Sequence, residues 1–464
     1  MAWSRDEILM ATGGRLVREG KRKRFGEVVT DSSKVKRGSV FVALKGERLD
    51  GHRFVGDAVR RGARCVIVHR HLYGSVFKDA AVVKVRDTLR ALGNLAHYRR
   101  ETLAPKVLAI TGSNGKTTTK EMVAAILEQA SVGGQRLRGK VLKTEGNFNN
   151  LVGLPLTLLR LRKRDAVAVV ELGTNHPGEI ARLAEIADPD MGMITSVAAA
   201  HLEGLSSLAG VAREKGALYQ RVRAGGTIAV NLDDPWARRL GAQFKGRKIT
   251  YGAGGRVRAE SWRSLGAGGM LLNLRAGGRR TRVRLNFLGG HNVANALGAA
   301  ALAYGFGASL PAIRRGLQSA RPFPMRMQIE EWRGIGIIND AYNANPASMQ
   351  AAIKTLVEIE RRGERVAVLG DMFELGAHAR KQHRQLGRRV AEARLDRVYL
   401  LGAQAHRVKQ GALEGGMPSD RVIIGKNHID IARRLRSHVK RGDWLLFKGS
   451  RGMEMEKVLL ELKG

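Results

Sequence analysis

Leu108–Thr119 reads LAITGSNGKTTT. An apolar run, Val107 to Ile110, enters a loop bearing Gly112, Ser113, Asn114 and Gly115. Lys116 and three hydroxyl residues, Thr117, Thr118 and Thr119, then open a helical pattern. Strand, glycine-bearing turn and helix in that order belong to an α/β unit built on a parallel sheet. Glycine lets the backbone turn tightly, so that consecutive N–H groups can face phosphate oxygens. The helix behind the loop adds its positive end. Lys116 is placed to reach terminal phosphates, and Thr117 to offer a hydroxyl to magnesium. The loop departs from the general GxxxxGK[ST] pattern, because Ile110 stands where that pattern has its first glycine.

The rest of the chain places this loop within a larger molecule. At 464 residues, the chain exceeds what one hydrophobic core serves, so two or three domains are expected. Hydrophobic residues at 44% exclude wholesale disorder. The single Cys65 excludes a disulfide framework and fits a reducing compartment. Residues 1–25 lack a signal-type apolar core, and no apolar run approaches the roughly 18 residues of a bilayer span. These features predict a cytoplasmic protein without membrane insertion.

Charge is the unusual property. Lys and Arg number 81 against 42 Asp and Glu, a formal net charge of +39. Such a surface attracts polyanions. The densest basic runs are Lys21–Arg24, Arg160–Arg164 and Arg279–Arg284. Aromatic residues are only 5% and do not interleave with them, which argues against stacking-based nucleic-acid binding.

Apolar runs and punctuation divide the chain into three. Strand-like runs at Val28–Val29, Val40–Leu44 and Cys65–Val68 define an N-terminal unit, 1–104. A central unit, 105–320, holds the phosphate loop and runs at Ala166–Val170, Gly192–Val197 and Thr227–Asn231. It ends with Gly- and Arg-rich hairpins over 252–289 and a helix over Asn292–Tyr304. Pro322 and Pro324 punctuate a linker. Beyond it, runs at Gly334–Asn339, Val366–Gly370, Val398–Leu401 and Trp444–Phe447 alternate with helical segments, giving a Rossmann-like unit over 321–464. The predicted class is α/β, with a P-loop-type parallel sheet in the centre.

Polar segments cluster where strands end. Thr144–Pro155 (TEGNFNNLVGLP) holds Asn147, Asn149 and Asn150, amides suited to a substrate with peptide and carboxylate groups. Glu171 ends the run VAVVE, positioned to share magnesium with Thr117. His201 ends another apolar stretch, and Lys215 stands in the helical pattern REKGALY. Asn292 and Asn295, at i and i+3, share a helix face. Asp340 ends the run IIND, with Tyr342, Asn343 and Asn345 behind it; LGDMFELG (369–376) and FKGSRGM (447–453) are similar strand ends. Each alone also fits a polar turn or helix cap.

Taken together, these segments resemble the Mur ligases, the ATP-dependent amide-forming enzymes of peptidoglycan precursor synthesis. TGSNGKTTTKEM, ELGTNHPGEI, HLEGLSS, GGHNVANALGA, DAYNANPASM, LGDMFELG and FKGSRGMEME occur in family order. NFNNLVGLP, NHPGEI, DAYNANP and GDMFELG point to the branch that adds D-alanyl-D-alanine to UDP-N-acetylmuramoyl-tripeptide. DSSKVKRGSVFVALKGERLDGHRFVGDA (31–58) resembles that family's uridine-binding domain.

The resemblance implies ATP, two magnesium ions and an acyl-phosphate intermediate. It implies Lys116 on the β- and γ-phosphates, Thr117 and Glu171 on one metal ion, and His201 and a carbamylated Lys215 at the second. It implies Asn292 and Asn295 on the adenine side, and Arg326 and Asp340 as nucleotide contacts. Asn147, Asn149, Asn150, Tyr342 and Asn345 would line the peptide cleft, and Asp31, Ser32 and Ser33 would meet uridine. It also implies a cytoplasmic monomer acting in cell-wall synthesis, with no specific nucleic-acid partner. Many relatives have alanine before the modified lysine, whereas this chain has Glu214. The competing readings are another Mur-type ligase, which would lack the NFNNLVGLP and DAYNANP segments, and a nucleic-acid-dependent P-loop NTPase. The latter would need Walker B carboxylates and an arginine finger, of which the chain shows no convincing set.

Overall fold

The computed structural model describes residues 2–46, 49–72, 77–360 and 362–464. Glu47 and Arg48, within the 31–58 segment, lie outside them. Among the described residues three large sheets follow one another along the chain, beside two small two-stranded ones. The first has five strands in the order Arg15–Arg18, Ala81–Lys84, Cys65–Val68, Val40–Val42, Val28–Val29, parallel except for the first. Cys65 is buried there, and burial pushes its thiol up to about 12, which leaves it unreactive.

The central sheet has nine strands. Six lie parallel, in the order Val141–Lys143, Val167–Glu171, Lys106–Thr111, Met191–Ile194, Thr227–Asn231, Arg247–Tyr251. Val257–Ser264 joins them, also parallel, where Val257 pairs with Tyr251, and with Met270–Ala276 and Arg279–Leu285 it forms an antiparallel meander, the predicted hairpins. The period of two along Lys106–Thr111 sorts its side chains between two cores. Leu108 and Ile110 pack with helices Lys116–Glu128, Gly290–Phe306 and Leu310–Ser319. Val107 and Ala109 pack with Gly153–Leu158 and Glu179–Ala187 on the other face. Burial on both faces explains why the strand is apolar throughout. The helix holding Lys215 starts earlier than its sequence suggests, at Leu208, because Ser207 caps it by accepting from Gly210 N.

The last sheet has six strands, in the order Gln328–Trp332, Ile335–Asp340, Trp444–Lys448, Arg365–Gly370, Arg397–Leu401, Val422–Ile424. The final strand of the chain inserts between two earlier ones, both parallel to it. That insertion puts Asp340 beside Lys448, and Lys448 beside Leu369.

The first unit is fastened to the second through its last helix, Thr88–Leu103. Arg100, buried, donates to Ala187 O at 3.2 Å and Asp188 O at 2.8 Å, and pairs with Asp190 at 3.1 Å. Among the described residues, no helix is long and apolar enough to cross a membrane.

Candidate active site

The phosphate loop takes the shape its glycines allow. Gly112 and Gly115 have φ of 149° and 80°. A Cβ on Gly112 would sit 1.8 Å from Thr195 Oγ1, and one on Gly115 2.2 Å from Asn295 Oδ1. Both positions therefore require glycine for space as well as for backbone conformation. Ser113 N donates to Ser196 O, and Asn114 N to Ser196 Oγ, tying the loop to the end of the neighbouring strand. Helix Lys116–Glu128 starts with no side-chain cap, so its first N–H groups face the cavity free to meet an anion. Lys116 Nζ folds back to Gly112 O at 2.7 Å. Burial lowers its pKa, opposed by Glu171 and Glu374 and reinforced by Arg326.

Glu171 is buried at the adjoining strand end, where Thr117 Oγ1 donates to Oε2 at 2.9 Å and Asn149 Nδ2 to Oε1 at 2.8 Å. Hydroxyl and carboxylate oxygens at this spacing are the donor types magnesium takes alongside nucleotide phosphates. Among the described residues no three His, Cys, Asp or Glu gather into a metal cage of their own. An ion bound partly through phosphate suits that donor set.

Lys215 does not line the cavity; it lies buried behind it. Burial, and then the charge of Lys116, hold its pKa well below the ordinary lysine value, with Glu214 acting the other way. Glu214 is itself committed. It accepts from Gly178 N and Ile180 N, each at 2.7 Å, and from Thr174 Oγ1 at 3.2 Å. These bonds pin the Thr174–Ile180 loop to the helix that carries Lys215.

The opposite wall comes from the C-terminal unit. Lys448, buried, pairs with Asp340 Oδ2 at 2.5 Å and donates to Asn343 O at 2.9 Å. Asp340 Oδ1 accepts from Met327 N, which ties the linker to the sheet. The Arg326 guanidinium stacks 4.0 Å from the Tyr342 ring centroid. Asn345 caps helix Pro346–Glu358 by accepting from Ser348 N and donates to Asn114 Oδ1 at 2.8 Å, joining the two walls. His201 Nδ1 lies 2.6 Å from Glu374 Oε2, a close contact without hydrogen-bond geometry that becomes an ion pair only when the imidazole is protonated. Both residues have positive φ, 54° and 62°, and Glu203 N donates to Glu374 O at 3.2 Å.

A third wall is the N-terminus of helix Gly290–Phe306. Asn295 Nδ2 donates to Asn292 Oδ1 at 2.9 Å, and Asn292 to Leu288 O at 2.7 Å, as their shared helix face required. His291, enclosed beside them, has its pKa depressed by burial to about 4 and is neutral.

These walls enclose a cavity of about 850 Å³. It brings together the loop residues Ser113 to Thr118 and Asn147, Asn149, Asn150, Glu171, His201, Asn292, Asn295, Arg326, Asp340, Tyr342 and Asn345. Asn150 is also a local cap, accepting from Val152 N and Gly153 N. Asp31, Ser32 and Ser33 lie apart from the cavity, where Asp31 caps a turn by accepting from Ser33 N and Ser33 Oγ. Sequence reasoning passed over Glu374, Lys448 and His291. The first two stand in segments already noted as polar strand ends, but nothing local marks which side chain turns inward.

Comparison with known proteins agrees with this architecture. Models of the Mur ligase family match in three stretches: the catalytic domain at 25–100, the middle domain at 110–303 and the glutamate ligase domain at 325–451. The chain is 38% identical over 442 residues to the UDP-N-acetylmuramoyl-tripeptide–D-alanyl-D-alanine ligase of Escherichia coli K12, covering 94% of this chain and 93% of that one. The crystal structure of MurF from Acinetobacter baumannii superposes with a TM-score of 0.91 at 34% identity, over 100% of this chain and 99% of the other. MurF from Thermotoga maritima, solved in complex with ADP, superposes with a TM-score of 0.84 at 29% identity, over 94% and 97%. The chain belongs to the Mur ligase family, in the branch of the UDP-N-acetylmuramoyl-tripeptide–D-alanyl-D-alanine ligases.

Proposed function

We propose that this chain uses ATP to join D-alanyl-D-alanine to UDP-N-acetylmuramoyl-tripeptide, in peptidoglycan precursor synthesis. The observation that carries the reading is one shared cavity in which a phosphate loop faces an amide-rich cleft across the Asn114–Asn345 bridge. The tripeptide's terminal carboxylate attacks the γ-phosphorus of ATP and releases ADP. The dipeptide amine then attacks the acyl phosphate, and phosphate leaves as the amide forms. Positioning and charge neutralisation do most of the work in such transfers.

Lys116 and the free N–H groups at the uncapped start of helix Lys116–Glu128 hold the β- and γ-phosphates, with Gly112, Ser113, Asn114 and Gly115 shaping the loop around them and Thr118 beside them. Thr117 and Glu171 hold one magnesium ion, and His201 stands at the second. Magnesium would supply the charge that offsets the phosphate oxygens in flight. Asn292 and Asn295 meet the adenine side, and Arg326 and Asp340 contact the nucleotide from the C-terminal unit. Asn147, Asn149, Asn150, Tyr342 and Asn345 line the peptide cleft. Asp31, Ser32 and Ser33 hold uridine from the N-terminal unit, whose separate position suits a long UDP-linked substrate. Unit boundaries fall at 104/105 and 320/321, and the chain acts as a cytoplasmic monomer.

Lys215 is carbamylated. Its buried amine is supported in the neutral form, and that form attacks carbon dioxide: a C–N bond forms, the nitrogen loses a proton, and a carboxylate results. The product replaces a cation that would repel the metal ions with an anion that attracts them.

Phosphate release measured with each substrate omitted in turn tests the reaction. Release should require ATP, UDP-muramoyl-tripeptide and D-alanyl-D-alanine together. Equal release with DNA or RNA alone would overturn it.

A further inference from the structure

The antiparallel end of the central sheet turns one face to the cores and the other to solvent. Val283, Leu285, Leu272 and Leu274 point inward and are buried. The outward register sets Arg258 opposite Arg275, and Arg275 opposite Arg280, in one row across three strands. Arg282 and Arg284 continue the face along the edge strand, and Arg263 along Val257–Ser264. Like charges directly opposite one another destabilise a sheet. A single carboxylate answers this row: the register shift between Ala259 and Ser261 delivers Glu260, 3.4 Å from Arg275 and 2.9 Å from Arg280. Among the described residues, no ion pair reaches Arg263, Arg282 or Arg284, all exposed.

We propose that this arginine face docks the protein on the anionic headgroups of a phospholipid bilayer. None of its residues lines the catalytic cavity, so the surface and the reaction are separate. A face that costs the fold stability by self-repulsion is relieved when a partner supplies negative charge. The partner favoured is flat and chemically diffuse. The face has no aromatic side chain on which bases could stack, because Trp262 pairs with Leu272 on the inward register and touches Gly290 instead. A planar arginine array needs no stacking to meet a surface of lipid phosphates, and the attraction extends over a Debye length, about 10 Å at 0.1 M salt. The net charge of +39 adds a long-range pull toward the same surface.

Flotation of the full chain with phosphatidylcholine vesicles, with and without an equal part of phosphatidylglycerol, tests this. The protein should float only with the anionic vesicles and should release as salt rises. The triple variant Arg263→Glu, Arg282→Glu, Arg284→Glu should lose about tenfold or more in vesicle affinity. A charge-matched control in the C-terminal unit, Lys381→Glu, Lys426→Glu, Arg433→Glu, should change it by no more than about twofold. Ligase turnover should stay at wild-type values in both, and the melting temperature should not fall in either; in the face variant it should rise as the self-repulsion is relieved. Wild-type protein that does not float overturns the proposal. So does equal loss in the control, which would leave only net charge, or a face variant that loses affinity for RNA while keeping it for vesicles.

Discussion

The phosphate loop and the C-terminal wall of the cavity face each other, yet they are assembled by different means. The loop is local: Gly112 to Thr118 are consecutive, and one strand-to-helix turn aims them all. The wall is topological. Asp340, Lys448 and the Glu374 loop come from distant stretches, and they meet because Trp444–Lys448 inserts between Ile335–Asp340 and Arg365–Gly370. The ends of parallel strands in open sheets gather groups in this way. Apart from the two glycines that shape it, a local device presents side chains such as Lys116 that can be changed with little effect on the fold. A topological one couples chemistry to stability, because its side chains also hold the strands together.

The largest expected effect breaks the two apart on the loop side. Lys116→Ala removes a cation that, among the described residues, hydrogen-bonds only Gly112 O. Turnover should fall by about 10³-fold or more, on the scale of losing a preorganised charge at a transferring phosphoryl group. The chemical-denaturation midpoint should stay near wild type. A large loss of stability in this variant would show that the loop is as much a structural element as the wall.

The same contrast explains what the sequence disclosed. Val107–Ile110, both glycines, Lys116 and Thr117 could be read directly because their geometry is set within one turn of chain. Glu171 and Asp340 were legible because each ends an apolar run. The pairing of Asn292 with Asn295 followed from helical spacing. Glu374 and Lys448 were not, since strand order decides which end neighbours which, and no local pattern encodes that the last strand inserts centrally. Glu214 was visible only as a departure from a family habit. Its meaning required the Thr174–Ile180 loop that its carboxylate holds.

On the wall side, Lys448→Met keeps the length of the side chain and removes its charge. Asp340 then loses its buried partner, though Met327 N still donates to it. Removing one member of a buried pair costs about 3–5 kcal/mol. Urea unfolding should register most of that loss in the transition of the C-terminal unit, and turnover should fall with it. Unchanged stability with lost turnover would mean that the wall is as separable from the fold as the loop, and the contrast would fail.

The smallest effect sits where the two regions touch. Asn114 belongs to the loop and Asn345 to the wall, and one hydrogen bond of 2.8 Å crosses between them. Asn345 also caps its own helix, so Asn345→Ala should cost about 1 kcal/mol of stability through the lost cap alone. Asn345→Ser keeps a capping oxygen and removes the amide that reaches Asn114, which isolates the bridge. Combined with Asn114→Ala in a double-mutant cycle, it should show a coupling of about 0.5–1.5 kcal/mol. If the bridge serves to bring the walls together around substrate, that coupling appears in kcat/KM for ATP and is weaker in urea unfolding. If it appears in unfolding alone, Asn114 and Asn345 belong to the scaffold, and the loop reaches the wall only through the substrates that lie between them.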